Sequence, residues 1–396
     1  MRGIRRKLTL RRANGRLALL ALAVVAMLAV AACGGDDDSD STTADETTAD
    51  ETTTTDAATT EEPPVEVFRA AVGSLGTIDD ESFSQAQFEG AVALGESDPA
   101  YEVTIVPNLL TPDQYLQQGA ALAEEGYDLV LWQHGSMVEV TQQLAEQFPD
   151  TTFGVIFDPP DDFDFPPNFI GWDFIAQEGS FLAGALAALA TETDVVAAIS
   201  GVPFPAITRQ PEGFELGARC VNPDITTLQT YTGDETFSDA RVTRGAVEAQ
   251  IGDGADVIFA ALDGAVNGAY QAAEAADVSV IAQYFDSSGK SDAVLASVLY
   301  NAQNTTVDLI VGEATEGYGG TEQIYDLDRL DVGTLAPGPK LAEALSDEEQ
   351  ALLADIEVMV RGGEIQVPES EALAEPGDAA GIDPVDLGCP EGGFEI

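Results

Sequence analysis

The feature that most constrains this chain is a strand–helix alternation that begins near residue 67 and then starts again. Residues 67–73 (VFRAAVG) form a short, nearly continuous apolar run, and 85–95 then has helical spacing. Strand signals recur at 103–106, 128–132, 153–157 and 169–172. Helical signals separate them at 113–125, at 136–148 behind a capping box (Ser136, Glu139), and at 177–190. The pattern restarts with strands at 195–200, 227–232, 256–262 and 278–284, and helices at 206–221, 239–251 and 266–276. Strand-like 294–299, a helix at 305–314, a short strand at 323–325 and a long acidic helix over 340–361 follow, with a second capping box at Ser346 and Glu349. Apolar strands without alternation belong to parallel sheets covered on both faces. Two such runs predict an α/β chain of two doubly wound parallel-sheet lobes. Ligands of such sheets bind beyond the carboxyl ends of the strands, and two lobes can face those ends across a cleft. The loops to search are therefore 74–83, 133–136, 158–166, 201–206, 232–238, 263–267 and 285–290.

Charge narrows the partners. Of the 16 Lys and Arg, seven precede Cys33, which leaves nine against all 70 acids in the rest of the chain. A surface this negative repels phosphate backbones, so nucleic acid is not an expected partner. The seven bases are followed by an unbroken run of 16 apolar and small residues, 17–32, short for a membrane span but suited to a secretory signal. The run ends Val30-Ala31-Ala32-Cys33-Gly34-Gly35, which resembles a bacterial lipobox, in which the Cys carries lipid. Residues 34–64 hold eleven acids, ten Thr and no base, with TTADE twice in succession. Such a segment has too little apolar surface to offset chain entropy and is expected to be a disordered tether. The boundaries read as a signal peptide over 1–32, lipidated Cys33 with its tether over 33–64, lobe 1 over 65–175, and lobe 2 over 176–286. Residues 287–396 then complete both lobes and form a tail. The expected location is the extracytoplasmic face of the cell membrane, anchored through Cys33. In that oxidising setting Cys220 and Cys389 are an even pair, either bridged or present as two thiols.

Recognisable catalytic machinery is missing. His134 is the single histidine, at the strand end Trp132-Gln133-His134-Gly135, where it lines the cleft or serves as a surface residue. There is no G-x-S-x-G, H-E-x-x-H, C-x-x-C, strand-following G-x-G-x-x-G or Walker loop. Paired acids such as Asp79-Asp80 and Asp161-Asp162 do not stand out from so acidic a background. The chain is thus read as a non-enzyme without cofactor or metal.

The loops themselves carry a resemblance. Residues 76–85 (GTIDDESFSQ) with Phe88-Glu89-Gly90 are similar to the "DDKSFNQSAWEG" signature of the Bmp (basic membrane protein) family, which includes the PnrA-like purine nucleoside receptors of ABC importers. Residues 178–184 (EGSFLAG), 213–218 (GFELGA), 221–224 (VNPD), 254–259 (GADVIF), Asn267-Gly268 and Ser297-Val298 match further family segments in order. Thr232-Gly233-Asp234 and Phe237-Ser238-Asp239 resemble its "GSFxD" loop with an insertion. The resemblance implies a type I periplasmic-binding-protein clamshell that captures a small ligand, a nucleoside first, and hands it to an ABC permease.

It also implies roles. Asp79 and Asp80 match the family's first-loop acids, which accept bonds from base N–H or sugar O–H groups. Phe83 and Phe237 are placed to sandwich a flat base, one from each lobe, with Ser84 and Gln85 beside Phe83. Asp263 belongs to the loop after its strand, and Asp286 resembles the acid of the family's "GVD", which takes ribose hydroxyls. Two departures count: Ser84 stands for the family's Asn, and Tyr300 for its Lys. The loss of that cation leaves pyrimidine nucleosides, free bases or another small polar ligand open. Two other readings are kept, a surface sensor built on the same clamshell and an exported hydrolase.

Overall fold

The computed structural model describes residues 67–79, 83–157, 159 and 163–394. The signal segment, Cys33, the tether, Asp80 and Asp161-Asp162 lie outside the described residues.

The first sheet is built from β1 (Phe68–Gly73), β2 (Tyr101–Val106), β3 (Leu129–Trp132), β4 (Thr152–Ile156) and β5 (Phe169–Phe174). It is wholly parallel, and β11 (Thr321–Tyr325) completes the order β11-β5-β4-β3-β1-β2. Helices α1 (Phe83–Ser97), α2 (Pro112–Glu124) and α3 (Val138–Gln147) connect its strands. The second sheet repeats the plan with β6 (Val195–Ser200), β7 (Thr226–Tyr231), β8 (Val257–Ala261), β9 (Ser279–Gln283) and β10 (Val294–Leu299). Its order is β12-β10-β9-β8-β6-β7, with β12 (Thr334–Pro337) antiparallel on β10. Its helices are α4 (Ala176–Ala190), α5 (Pro205–Val221), α6 (Ala240–Gly252) and α7 (Val266–Ala276); α8 (Ala302–Glu316), α9 (Leu341–Ala344) and α10 (Asp347–Arg361) follow. The two doubly wound parallel lobes expected from the alternation are present.

Burial follows from composition. β3, β8 and β9 are buried at every residue, as continuous apolar strands between helical layers must be. α4 is buried along nearly its whole length. It lies so close to α5 that a side chain on Gly184 meets the Phe214 carbonyl, and one on Gly217 meets the Phe181 carbonyl.

The chain passes between the lobes three times: at Phe174–Ala176, at Leu299–Ala302 and between Tyr325 and Thr334. These crossings are tied together. Ile175 N–H donates to the Tyr325 carbonyl at 2.8 Å, and Gly333 N–H donates to that of Leu299 at 2.7 Å. The Asn301 amide donates to the Leu330 carbonyl at 2.6 Å. Arg361, at the end of α10, pairs with Asp331 at 3.1 Å and Glu357 at 2.9 Å, fastening the third crossing. An ion pair adds a direct link between lobes. Arg209 of α5 holds Asp173 of β5 in a two-pronged contact at 2.6 and 2.7 Å, and both side chains are almost fully buried.

The C-terminal segment after α10 runs along α5. Cys389 is disulfide-bonded to Cys220, with 5.4 Å between their Cα atoms. Glu212 accepts from Gly377 and Ala379 N–H at 2.9 and 2.7 Å, while Arg219 donates to the Ala379 and Ile382 carbonyls.

Local differences from the sequence reading have physical causes. The helix expected over 340–361 is interrupted at Leu345, because the Ser346–Glu349 capping box is formed and starts a new helix there. The box expected at Ser136 and Glu139 does not form. The Ser136 hydroxyl turns to His134 Nδ1 at 2.8 Å, and a 3-10 turn, Gly135–Met137, precedes α3.

Candidate functional site

The carboxyl ends of the two sheets meet. Phe83, first residue of α1, follows the β1 loop; Tyr284 follows β9. Their ring centroids are 5.3 Å apart, tilted by 56°. Phe174, last residue of β5, stacks on Tyr300 after β10 at 5.7 Å and 29°, and meets Phe83 edge-on at 6.1 Å. Tyr284 and Tyr300 are 5.1 Å apart. Four rings, two from each lobe, thus form one group beside the crossings. Aromatic pairs of this kind add roughly 0.5–1.5 kcal/mol each beyond area burial. Tyr284 joins the group at φ +70°, a conformation unusual for a residue with a side chain. Burial pushes its hydroxyl well above the ordinary tyrosine range, and the nearby Asp263 carboxylate pushes the same way.

The expected site residues divide into three sets. Phe83, Tyr300 and Asp263 come to this aromatic group. Tyr300 is 1% exposed and its hydroxyl donates to the Ala176 carbonyl at 3.4 Å, so it reaches the interior of the group rather than an open surface. Burial pushes that hydroxyl up to about 12. A second set supports the local fold. Ser84 is buried, its hydroxyl 2.7 Å from that of Ser74 at the end of β1. Gln85 donates to Glu89 at 2.7 Å along α1. His134 caps the 3-10 turn through Nδ1, and burial holds its imidazole below the usual value. The third set is on the surface. Asp79 and Asp286 are exposed, and Asp286 accepts from Ser288 N–H at 2.9 Å in a tight turn.

Phe237, expected opposite Phe83, has a different neighbour. Its ring covers Gly201 after β6, where any side chain on that glycine would meet it, and it touches Phe204 edge-on at 6.5 Å. Among the described residues the ring that faces Phe83 from the second lobe is Tyr284. The sequence reading missed this residue because nothing in VSVIAQY announces a left-handed turn.

Of the loops at the carboxyl ends, only 285–290 contains a Lys or Arg, namely Lys290. Among the described residues no group of three or more His, Cys, Asp or Glu side chains is arranged to hold a metal, and no helix is long and apolar enough to cross a membrane. A groove of about 590 Å³ lies elsewhere, on the outside of the first lobe between α1, α8 and β2.

The family model of PnrA-like ABC transporter substrate-binding proteins, Bmp, matches residues 68–371. The chain belongs to this family. It is 28% identical over 324 residues to the "CD4+ T-cell-stimulating antigen" of Listeria monocytogenes, covering 76% of this chain and 87% of that one. It is 26% identical over 323 residues to the "ABC transporter nucleoside-binding protein BmpA" of Lactococcus lactis, covering 76% and 88%. Among solved structures, an ABC transporter solute-binding protein from Conexibacter woesei superposes with a TM-score of 0.63 at 22% identity, over 77% of this chain and 99% of that one. That likeness concerns the fold, a two-lobed solute-binding architecture. The Bmp chain is therefore an ABC transporter substrate-binding protein.

Proposed function

We propose that this Bmp protein captures a small, uncharged ligand with a flat ring, a nucleoside first among candidates, and delivers it to a membrane permease. The observation that carries the reading is the pairing of Phe83 with Tyr284 from opposite lobes at the carboxyl ends of their sheets. Aromatic faces that meet only when lobes meet favour a flat guest that bridges them. Such a guest stabilises the closed arrangement, so binding and closure are one equilibrium. The near absence of cations in the surrounding loops disfavours phosphorylated or carboxylate ligands: the buried cation beside the rings, Arg209, is already engaged by the Asp173 carboxylate, which leaves little positive charge to offset desolvation of an anion. The name of the Lactococcus relative, a nucleoside-binding protein, points the same way.

Around this core the finer assignments follow the sequence. Cys33 carries the lipid, residues 34–64 form the tether, and the body works on the extracytoplasmic face beside its permease. Asp79 stands on the first cleft loop, Asp80 is assigned with it from the sequence motif, Asp263 and Asp286 offer acceptors to hydroxyls, and Phe237 belongs to the second lobe's side. Capture requires no covalent step.

Thermal-shift and calorimetric titration of the purified protein with nucleosides, free bases, sugars and amino acids tests the reading. A true ligand at one hundred times its Kd raises stability by roughly 2.7 kcal/mol. Stabilisation by sugars or amino acids alone refutes the flat-ring assignment, and release of an altered product refutes capture without chemistry.

A further inference from the structure

Two side chains stand out once every buried polar group is followed to its partner. Gln133 is 3% exposed and Gln283 is 5% exposed, and in each both the amide nitrogen and the amide oxygen lack a hydrogen-bond partner. The other buried glutamines differ. Gln87 accepts from Thr306, Gln177 donates to Ser370, Gln210 donates to the Ala206 carbonyl and Gln250 to the Ala198 carbonyl, so each has one end of its amide engaged. A wholly unpartnered buried carboxamide destabilises a fold, and proteins rarely keep one without a use for it.

Position suggests the use. Gln133 follows β3 and extends its pairing, donating its N–H to the Gly73 carbonyl at 2.8 Å. Gln283 is the last residue of β9 and pairs with Val298 of β10. Both therefore stand at the carboxyl-end edge of their sheets, one in each lobe. Side chains two apart on a strand share a face, so Gln133 lies on the side of Leu131 and Gln283 on the side of Ile281. Leu131 and Ile281 belong to one buried cluster that runs through both lobes and contains Phe174 and Tyr300, with Phe83 and Tyr284 packed against it. The two carboxamides thus lie on the sheet faces covered by the cluster that also takes in the four rings. Ser200, the last residue of β6 in the second sheet, pairs with Ala261 of β8, and its hydroxyl also lacks a partner.

We infer that the carboxamides of Gln133 and Gln283, one from each lobe, read the hydrogen-bonding edge of the bound ring. This rests on the capture function proposed above and adds to it the ligand's recognised chemistry. A carboxamide offers a donor and an acceptor side by side. Its complement is an uncharged heterocycle with an adjacent acceptor and donor, as on the edges of nucleobases. Rings alone hold any flat guest; the amides choose among them, because a guest without matching groups leaves both buried and unpartnered.

The test uses the full chain and two near-isosteric variants, Gln283→Met and Gln133→Met. Binding of adenosine, guanosine, inosine, uridine, their free bases and unsubstituted purine riboside is measured by calorimetry, with Tm recorded for each protein. The expected result is a loss of at least tenfold in affinity for the best-binding probe in each variant. Its preference over purine riboside falls toward one, and Tm holds or rises because an unpartnered polar group has been replaced. Variants that bind with the original affinity and preference overturn the inference while leaving the capture function standing. So does a variant that loses Tm or fails to fold, since the amide then serves the structure. Failure of the unaltered protein to bind any probe overturns the nucleoside reading, and this inference with it.

Discussion

Arg209→Met should be among the most damaging single changes in the body. The Arg209 and Asp173 side chains are only 3% and 2% exposed, and the guanidinium meets both carboxylate oxygens. Removing the cation leaves a buried carboxylate without the guanidinium that meets both of its oxygens. Removing one partner of such a pair typically costs about 3–5 kcal/mol, whereas replacing both by apolar residues is often neutral. The double variant Arg209→Met with Asp173→Leu should therefore recover most of the loss. Urea unfolding of the four proteins, followed by circular dichroism at constant m, gives the coupling energy directly. A coupling below about 1 kcal/mol, the range of a surface pair, refutes the argument that this contact is desolvated and joins the lobes.

Three further outcomes follow. Phe83→Ala should weaken ligand affinity at least tenfold in calorimetry without unfolding the chain, since half of the Phe83–Tyr284 contact disappears; unchanged affinity removes Phe83 from the site. Replacing Cys220 and Cys389 by Ser opens a loop spanning 169 positions, for which the chain-entropy relation gives about 5 kcal/mol as an upper value. An unchanged Tm with and without reductant would show that the bridge adds nothing. Glu178, at the start of α4, has its carboxyl pushed up to about 7, chiefly by burial. A carboxyl raised in the folded state binds its proton more tightly than in the unfolded chain, so stability is full at low pH and is lost as pH climbs from about 4.5 to 7. Partial solvent contact limits the effect to about 1–2 kcal/mol. Glu178→Gln should flatten that slope in pH-dependent unfolding, and an unaltered slope assigns it to another group.

The fold was legible because parallel, doubly covered strands must be continuous apolar runs, and runs such as DLVLW and DVIFAAL have no other economical reading. Elements without that signature escaped. The edge strand β12 is only Thr334-Leu335-Ala336-Pro337, half-exposed and antiparallel, and no apolar run marks it. The site was legible in part. Phe83 reaches the inter-lobe ring group because its motif fixes a loop-to-helix junction beside a strand end. Tyr284 was hidden because its role depends on a left-handed backbone that side-chain patterns do not encode. Gln283 could have been noticed: an amide inside the run VSVIAQY contradicts the burial that the rest of the strand demands. Tyr300 was read as a replacement for a cation, but just past the end of the apolar strand Val294–Leu299 its ring is drawn inward.

The C-terminal segment gives these observations a common mechanical basis. The family match ends at residue 371, and the chain beyond it is held on α5 by the Cys220–Cys389 bridge and by the bonds to Glu212 and Arg219. α5 is the same helix that carries Arg209 across to Asp173, and Ser370, just before this segment, accepts from Arg209 at 2.9 Å. A helix pinned along its outer face can transmit displacement at one end only by moving as a unit. The strap thus stiffens the element through which the second lobe grips the first. The backbone links between the lobes are the three crossings, where Asn301, Gly333 and Ile175 make the connecting hydrogen bonds. In the proposed capture, closure at these crossings would bring Phe83 and Tyr284 to the contact seen between them, as a site built from opposed rings requires.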